Sequence, residues 1–151
     1  MTAISATAGA RAHEAMFQAA KAFFDGEPTM VMRYPGRITF GDQLVAMGNI
    51  DSNQDHARFP RGRDETLLID MYFTAAVGGD PDEADLDARD RAFDMLDRFA
   101  DHVRRNATEL DGNVEWCFLE HYSTESMPAA KGGGITWEIT ATFKLFYQVR
   151  G

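Results

Sequence analysis

Glu65-Thr66-Leu67-Leu68-Ile69-Asp70-Met71-Tyr72-Phe73-Thr74-Ala75-Ala76-Val77, followed by Gly78-Gly79-Asp80-Pro81, decides the fold. The run is rich in β-formers and aromatics, and its odd positions, Leu67, Ile69, Met71, Phe73, Ala75 and Val77, are all apolar. Successive side chains of a strand point to opposite faces, so the spacing predicts a strand over 66–77 whose odd face is buried under the next element. The even face mixes Leu68, Tyr72 and Ala76 with Asp70 and Thr74, which suits a surface meeting water or a neighbouring subunit. After the Gly-Gly turn, Asp80 is placed to cap a helix and Pro81 fits its first position, where an N–H has no partner. Asp82, Glu83 and Asp85 complement the positive end of that helix, and Arg104 and Arg105 the negative end. Leu86, Phe93, Leu96, Ala100 and Val103 recur on a helical period and predict the buried stripe. The helix is expected to run to about Arg105, and with Gly112-Asn113 as a turn and a strand over 114–122 the stretch reads as a β-α-β unit.

Working outward, Val114, Trp116, Phe118, Glu120 and Tyr122 alternate with Glu115, Cys117, Leu119 and His121. A soft segment over 123–134, with Pro128 and Gly132-Gly133-Gly134, then leads to the longest alternating tract. There Ile135, Trp137, Ile139, Ala141, Phe143, Leu145, Tyr147 and Val149 share one face, which predicts a long antiparallel strand in a hairpin with 114–122. Toward the N-terminus, residues 1–9 read as loose, and Ala10 to Phe24 as a helix stopped by Asp25-Gly26-Glu27-Pro28. Met30–Tyr34 and Arg37–Phe40 read as short strands, and Leu44–Ile50 as a strand or a short helix between which periodicity does not choose. Asp51 to Asp64 is polar and carries Arg58, Arg61 and Arg63 beside Phe59-Pro60. It reads either as a surface arm that orders against a neighbour or as a variable hairpin loop.

These elements predict an α+β fold: a mixed, mostly antiparallel sheet with a long amphipathic helix packed on one face and an N-terminal helix. A single domain is expected over 10–150, with extended loops at 51–64 and 123–134. Its expected core is Leu67, Ile69, Met71, Phe73, Phe93, Leu96, Trp116, Trp137, Ile139 and Phe143.

The chain has 151 residues and a formal charge of −9. Such a balance argues against a protein whose main task is gripping phosphate backbones, and an acidic surface limits sticking to DNA. The lone Cys117 excludes an internal disulfide and fits cytosolic assembly. No basic-then-apolar leader and no apolar run of the ~20 residues a membrane span requires is visible.

Tests for chemistry are negative. His13, His56, His102 and His121 fall on different elements without metal-ligand spacing. Asp80, Asp82 and Glu83 lack the spacing of a calcium loop. Gly132-Gly133-Gly134 precedes a strand and lacks a following Lys-Ser/Thr, and Gly78-Gly79 is followed by an acidic residue that repels phosphate. Nothing near Cys117 would lower its pKa, and Ser123, Ser126 and His121 are no more than a chance trio. No catalytic residue, metal or cofactor is therefore expected.

The order of elements carries more information than any motif. The segment Arg63 to Phe73, the helix Asp87-Ala88-Arg89-Asp90-Arg91-Ala92-Phe93-Asp94-Met95-Leu96-Asp97, the strand at Val114-Glu115-Trp116 and the terminal strand Ile135 to Phe143 together resemble the tail terminator proteins of long-tailed bacteriophages and related minor tail and head–tail joining proteins. The resemblance spans roughly residues 10–150 and has no invariant signature. It implies a small structural virion protein, assembled in the host cytoplasm, that forms a hexameric ring at the head–tail junction. Such a ring caps the completed tail tube, ends its polymerisation and offers a surface to the head. The implied partners are further copies of the chain, the major tail tube protein and a head-completion or neck protein, with DNA passing through an acidic channel and no membrane involved. A head-to-tail ring needs two complementary surfaces. The arm residues Arg58, Phe59, Arg61 and Arg63, the strand face at Asp70 and Tyr72, and the helix aspartates Asp87, Asp90, Asp94, Asp97 and Asp101 are the candidates. Another neck or tail component, and a soluble dimeric binding protein or small enzyme with an enclosed pocket, are the competing expectations.

Overall fold

The structure, a computed structural model, describes residues 7–36, 42–56, 63–128 and 134–149. Helix α1 (Gly9–Phe23) and strand β1 (Thr29–Met32) lead into the long hairpin of β2 (Gln43–His56) and β3 (Arg63–Val77). Helix α2 (Pro81–Asn106) follows, and then the hairpin of β4 (Trp116–Pro128) and β5 (Ile135–Val149). The five strands form one sheet in the order β1-β2-β3-β5-β4. Only β1 and β2 pair parallel; every other neighbouring pair is antiparallel. The expected class, α+β with a mostly antiparallel mixed sheet, a long helix and an N-terminal helix, is the one observed. Because β3 and β4 both run antiparallel to β5, they are parallel to each other with β5 between them. The β-α-β unit is thus split by the last strand.

Both helices lie on one face of the sheet. Leu67, Ile69, Met71 and Phe73 of β3 and Ile139, Ala141, Phe143 and Leu145 of β5 are fully buried beneath them. Phe99 of α2 is the hub, with its ring centroid 5.9–6.1 Å from those of Phe23, Phe24, Phe73 and Phe143. Arg98 forks onto Glu27 at 2.8 and 2.7 Å and lies over the Phe23 ring, fastening α2 to the turn that ends α1.

The buried stripe of α2 differs from the one its larger apolar residues suggest. Leu86 is 52% exposed, and Phe93 and Ala100 are only half-buried. The residues facing the sheet are Ala84, Ala88, Ala92, Met95, Leu96, Phe99 and Val103. Alanines at every fourth position let the first half of the helix lie close to the strands, and the large side chains fill the space only in its second half. Asp80 occupies the N-cap position but makes no side-chain cap bond; the helix begins with the Ala84 N–H donating to the Asp80 carbonyl at 2.8 Å.

Regular structure also extends into segments that read as loop. Leu44–Ile50 is strand, and the ladder continues from Asp51↔Leu68 to His56↔Arg63. Residues 123–128 pair with β5 as far as Pro128↔Ile135. Polar residues can occupy a strand whose side chains meet water, because the ladder is made by the backbone. The strand expected over Arg37–Phe40 and the remainder of the two loops lie outside the described residues.

Two bulges set which side chains face where. At the first, Gly48 and Asn49 interrupt the β2–β3 register between Met47 and Ile50. A Cβ on Gly48 would lie 2.9 Å from Tyr72 Cε2 and 3.0 Å from the Asp70 carbonyl, so the Tyr72 ring lies over a position only glycine fits. The second bulge, between Leu119 and His121, inverts the alternation of β4. Cys117 therefore points into the core, whereas Trp116 and Phe118 stand on the other face, and Tyr122 returns to the helix side against Phe93.

Candidate functional site

The face of the sheet away from the helices is the unusual surface. Trp116, Phe118 and Phe146 form a stack on it, with centroids 5.1 and 5.3 Å from the Trp116 ring. Phe118 is 43% exposed. Alongside, Asp51, Asn53, Thr66, Leu68, Glu120 and Lys144 line an open cleft of about 320 Å³. Farther toward Val77 the face closes, where Leu44, Ala46, Thr74 and Ala76 are buried.

Register puts a concentration of carboxylates on this face. Asp51 and Asp55 come from β2, Asp64 and Asp70 from β3, Glu138 from β5, and Glu120 and Glu125 from β4. Among the described residues the matching cation is Lys144, 3.6 Å from Glu120. Two carboxylate pairs oppose each other directly across strands, Asp55↔Asp64 and Glu125↔Glu138. Like charges so placed repel. Burial, together with the Glu125 charge, holds Glu138 above the ordinary carboxylate range despite a hydrogen bond with Thr74. Asp64 Oδ1 is buried without a hydrogen-bond partner. Asp70 is better satisfied, accepting from the Thr142 hydroxyl at 2.8 Å.

The other buried carboxylate is built differently. Glu65 is fully buried at the helix-side edge of β3. It accepts from the Thr7 hydroxyl at 2.5 Å, the Ala8 N–H at 2.6 Å, the Ser52 hydroxyl at 2.6 Å and the Gln54 amide at 3.2 Å. Burial alone would raise its pKa, but these donors outweigh it and hold the group below its ordinary range. Helix α1 starts with Ala8 at its N-cap position, which offers no side-chain acceptor, and Glu65 supplies the negative charge from the hairpin instead. Residue spacing gives no sign of this arrangement, because its donors come from residues 7, 8, 52 and 54.

The row of helix aspartates is largely neutralised within its own helix. Asp87 pairs with Arg91 at 3.0 Å, Asp90 with Arg89 at 3.1 Å and Asp94 with Arg98 at 3.4 Å. Asp101 holds Arg104 and Arg105 at 2.8 and 2.9 Å. Asp97 is exposed. Of the arm residues, Arg63 is an exposed first residue of β3, and Arg58, Phe59 and Arg61 lie outside the described residues.

A groove of about 630 Å³ runs between α1 and the loop after α2. Along it Arg11 donates to the Asn113 carbonyl, Glu14 holds Arg33, and His102 packs its ring 4.7 Å from Phe23. Cys117 is buried, which pushes its thiol up to about 12. Among the described residues no group of three or more His, Cys, Asp or Glu is placed to hold a metal ion, and no helix is long and apolar enough to cross a membrane.

No protein-family model matches the sequence. No curated protein matches it either. Among solved structures, the chain is similar to one in the virion of a native gene transfer agent particle, with a TM-score of 0.53 and 12% identity, over 92% of this chain and 94% of that one. At that identity the likeness is one of fold, and it runs through nearly the full length of both chains.

Proposed function

We propose that this protein is a structural component of a phage-like virion, and that it forms a ring which caps the completed tail tube, ends its polymerisation and provides the surface that joins the head. The observation that carries the reading is the fold shared end to end with a chain of a gene transfer agent virion. The order of elements, which resembles that of tail terminators, supports the finer assignment. A hexamer is the ring we assign, with the tail tube protein and a neck protein as its axial neighbours and DNA passing through without specific contacts. The net charge of −9 supports that passage, because an acidic surface repels the phosphate backbone. Ring contacts are drawn from the arm (Arg58, Phe59, Arg61, Arg63), the open sheet face (Asp70, Tyr72) and the aspartate row of α2.

Light scattering and negative-stain imaging of the purified protein, alone and with its co-encoded tube protein, test this. Six-fold rings, or tube stubs capped at one end, are expected. A dimer that ignores the tube overturns the reading. Rings that bind a head-side protein but leave tube length uncontrolled redirect it to another neck component.

A further inference from the structure

A ring subunit needs a surface that receives its neighbour, and the structure separates two acidic candidates. Asp87, Asp90, Asp94 and Asp101 of α2 have arginines of the same helix as partners, while Asp97 is exposed. The open sheet face has two opposed carboxylate pairs, a buried carboxylate oxygen with no donor, and Lys144 as its cation among the described residues. Charge left uncompensated at a defined place is the complement of a basic partner.

Resting on the ring reading above, we propose that the open sheet face of one subunit is the dock for the arm of the next copy, Ala57-Arg58-Phe59-Pro60-Arg61-Gly62, so that the arm meets the sheet and not the helix. The chemistry of the two surfaces matches in kind. Arginine forks suit carboxylates, and Asp51 and Glu120 stand on the rim of the cleft while Asp55 and Asp64 stand nearer the hairpin end. The Trp116–Phe118–Phe146 stack beside the cleft is a platform for an arginine plane or for the Phe59 ring. In sequence the arm lies between His56 and Arg63, the pair that ends the β2–β3 ladder. Every subunit then carries one donor arm and one receiving face, the head-to-tail pattern that closes a ring.

A charge exchange on the full-length chain tests the proposal. The arm variant Arg58→Glu/Arg61→Glu and the face variant Asp51→Lys/Glu120→Lys change exposed or arm positions, and circular dichroism and thermal melting establish that each folds. Alone, each is expected to lose the ring peak in light scattering. An equimolar mixture restores it, because each reversed arm finds a reversed face and each unaltered arm an unaltered face. A chain carrying all four substitutions also restores it. Wild-type rings that survive both reversals, or a mixture that stays dissociated, overturn the docking proposal and leave the ring reading intact. Restoration by reversing Asp94 and Asp97 of α2 in place of the face pair moves the arm to the helix and overturns it as well. A wild-type chain that forms no ring with or without tube protein overturns both readings together.

Discussion

Leu67 and Leu68 are chain neighbours on opposite faces of the same strand, and the two faces have been finished to different degrees. On the covered face, apolar side chains from two helices and four strands interlock around Phe99, and the buried carboxylate of Glu65 has four donors. On the open face, carboxylates oppose each other across strands, Asp64 Oδ1 has no donor, and an aromatic stack reaches solvent. The first surface is complete within one chain. The second leaves aromatic side chains and carboxylate charge without a complement among the described residues.

Breaking the covered face should cost most. Phe99→Ala removes the hub ring, and denaturant titration should show a loss of about 3–5 kcal/mol. Phe118→Ala on the open face should cost under about 1 kcal/mol in the free subunit. Equal losses would remove the distinction between the faces.

Next in size is Glu65→Ala, which removes the acceptor of the Ala8 N–H and the Ser52 hydroxyl, and is expected to cost about 2–3 kcal/mol. The two faces also respond to acid with opposite signs. Glu65 is held below its ordinary pKa of 4.5, so its stabilisation is present above that pH and lost as the pH falls through the lower folded value. Glu138 is held above 4.5, so its contribution is greatest below that pH and declines as the pH rises through the higher folded value. Stability measured against pH should therefore become flatter on the acid side in Glu65→Gln, and Glu138→Gln should remove a decline on the side above 4.5. Identical profiles for the two variants would contradict the contrast.

A smaller effect is expected at the bulge. Gly48→Ala pushes a methyl group against Tyr72 and the Asp70 carbonyl, for about 1–2 kcal/mol by thermal or chemical denaturation. Smallest, and opposite in sign, is Glu125→Lys, which turns the repulsive pair with Glu138 into an attractive one. It should stabilise the free subunit by roughly 0.5 kcal/mol, read as a small rise in Tm.

Much of the fold was legible in the chain because local signals agreed. The alternation over Ile135–Val149 marks β5 end to end, and Asp80-Pro81 marks the start of α2. Legibility failed where packing depended on partners distant in sequence. The stripe of α2 was misplaced because alanine looks weakly apolar in a sequence yet is the residue that lets a helix approach a sheet. Trp116 reads as a core residue yet stands on the open face, and nothing around Leu119-Glu120-His121 announces the bulge that inverts the alternation of β4. The strand over 51–56 is polar and carries no alternation to read. For the same reason the acidity of the open face was only partly visible: Asp70 stands out at an even position of β3, but its companions from β2 and β4 join it only once register and two bulges are known.

The inward turn of Cys117 has a practical consequence. The chain's one thiol is sealed in the core and held as the unreactive protonated form. The molecule is thus chemically blank toward maleimides, and a cysteine introduced at any exposed position becomes the sole handle for a dye or spin label. Distances from that site, within the chain or to a partner, can then be followed in the native sequence background, with no residue first having to be removed.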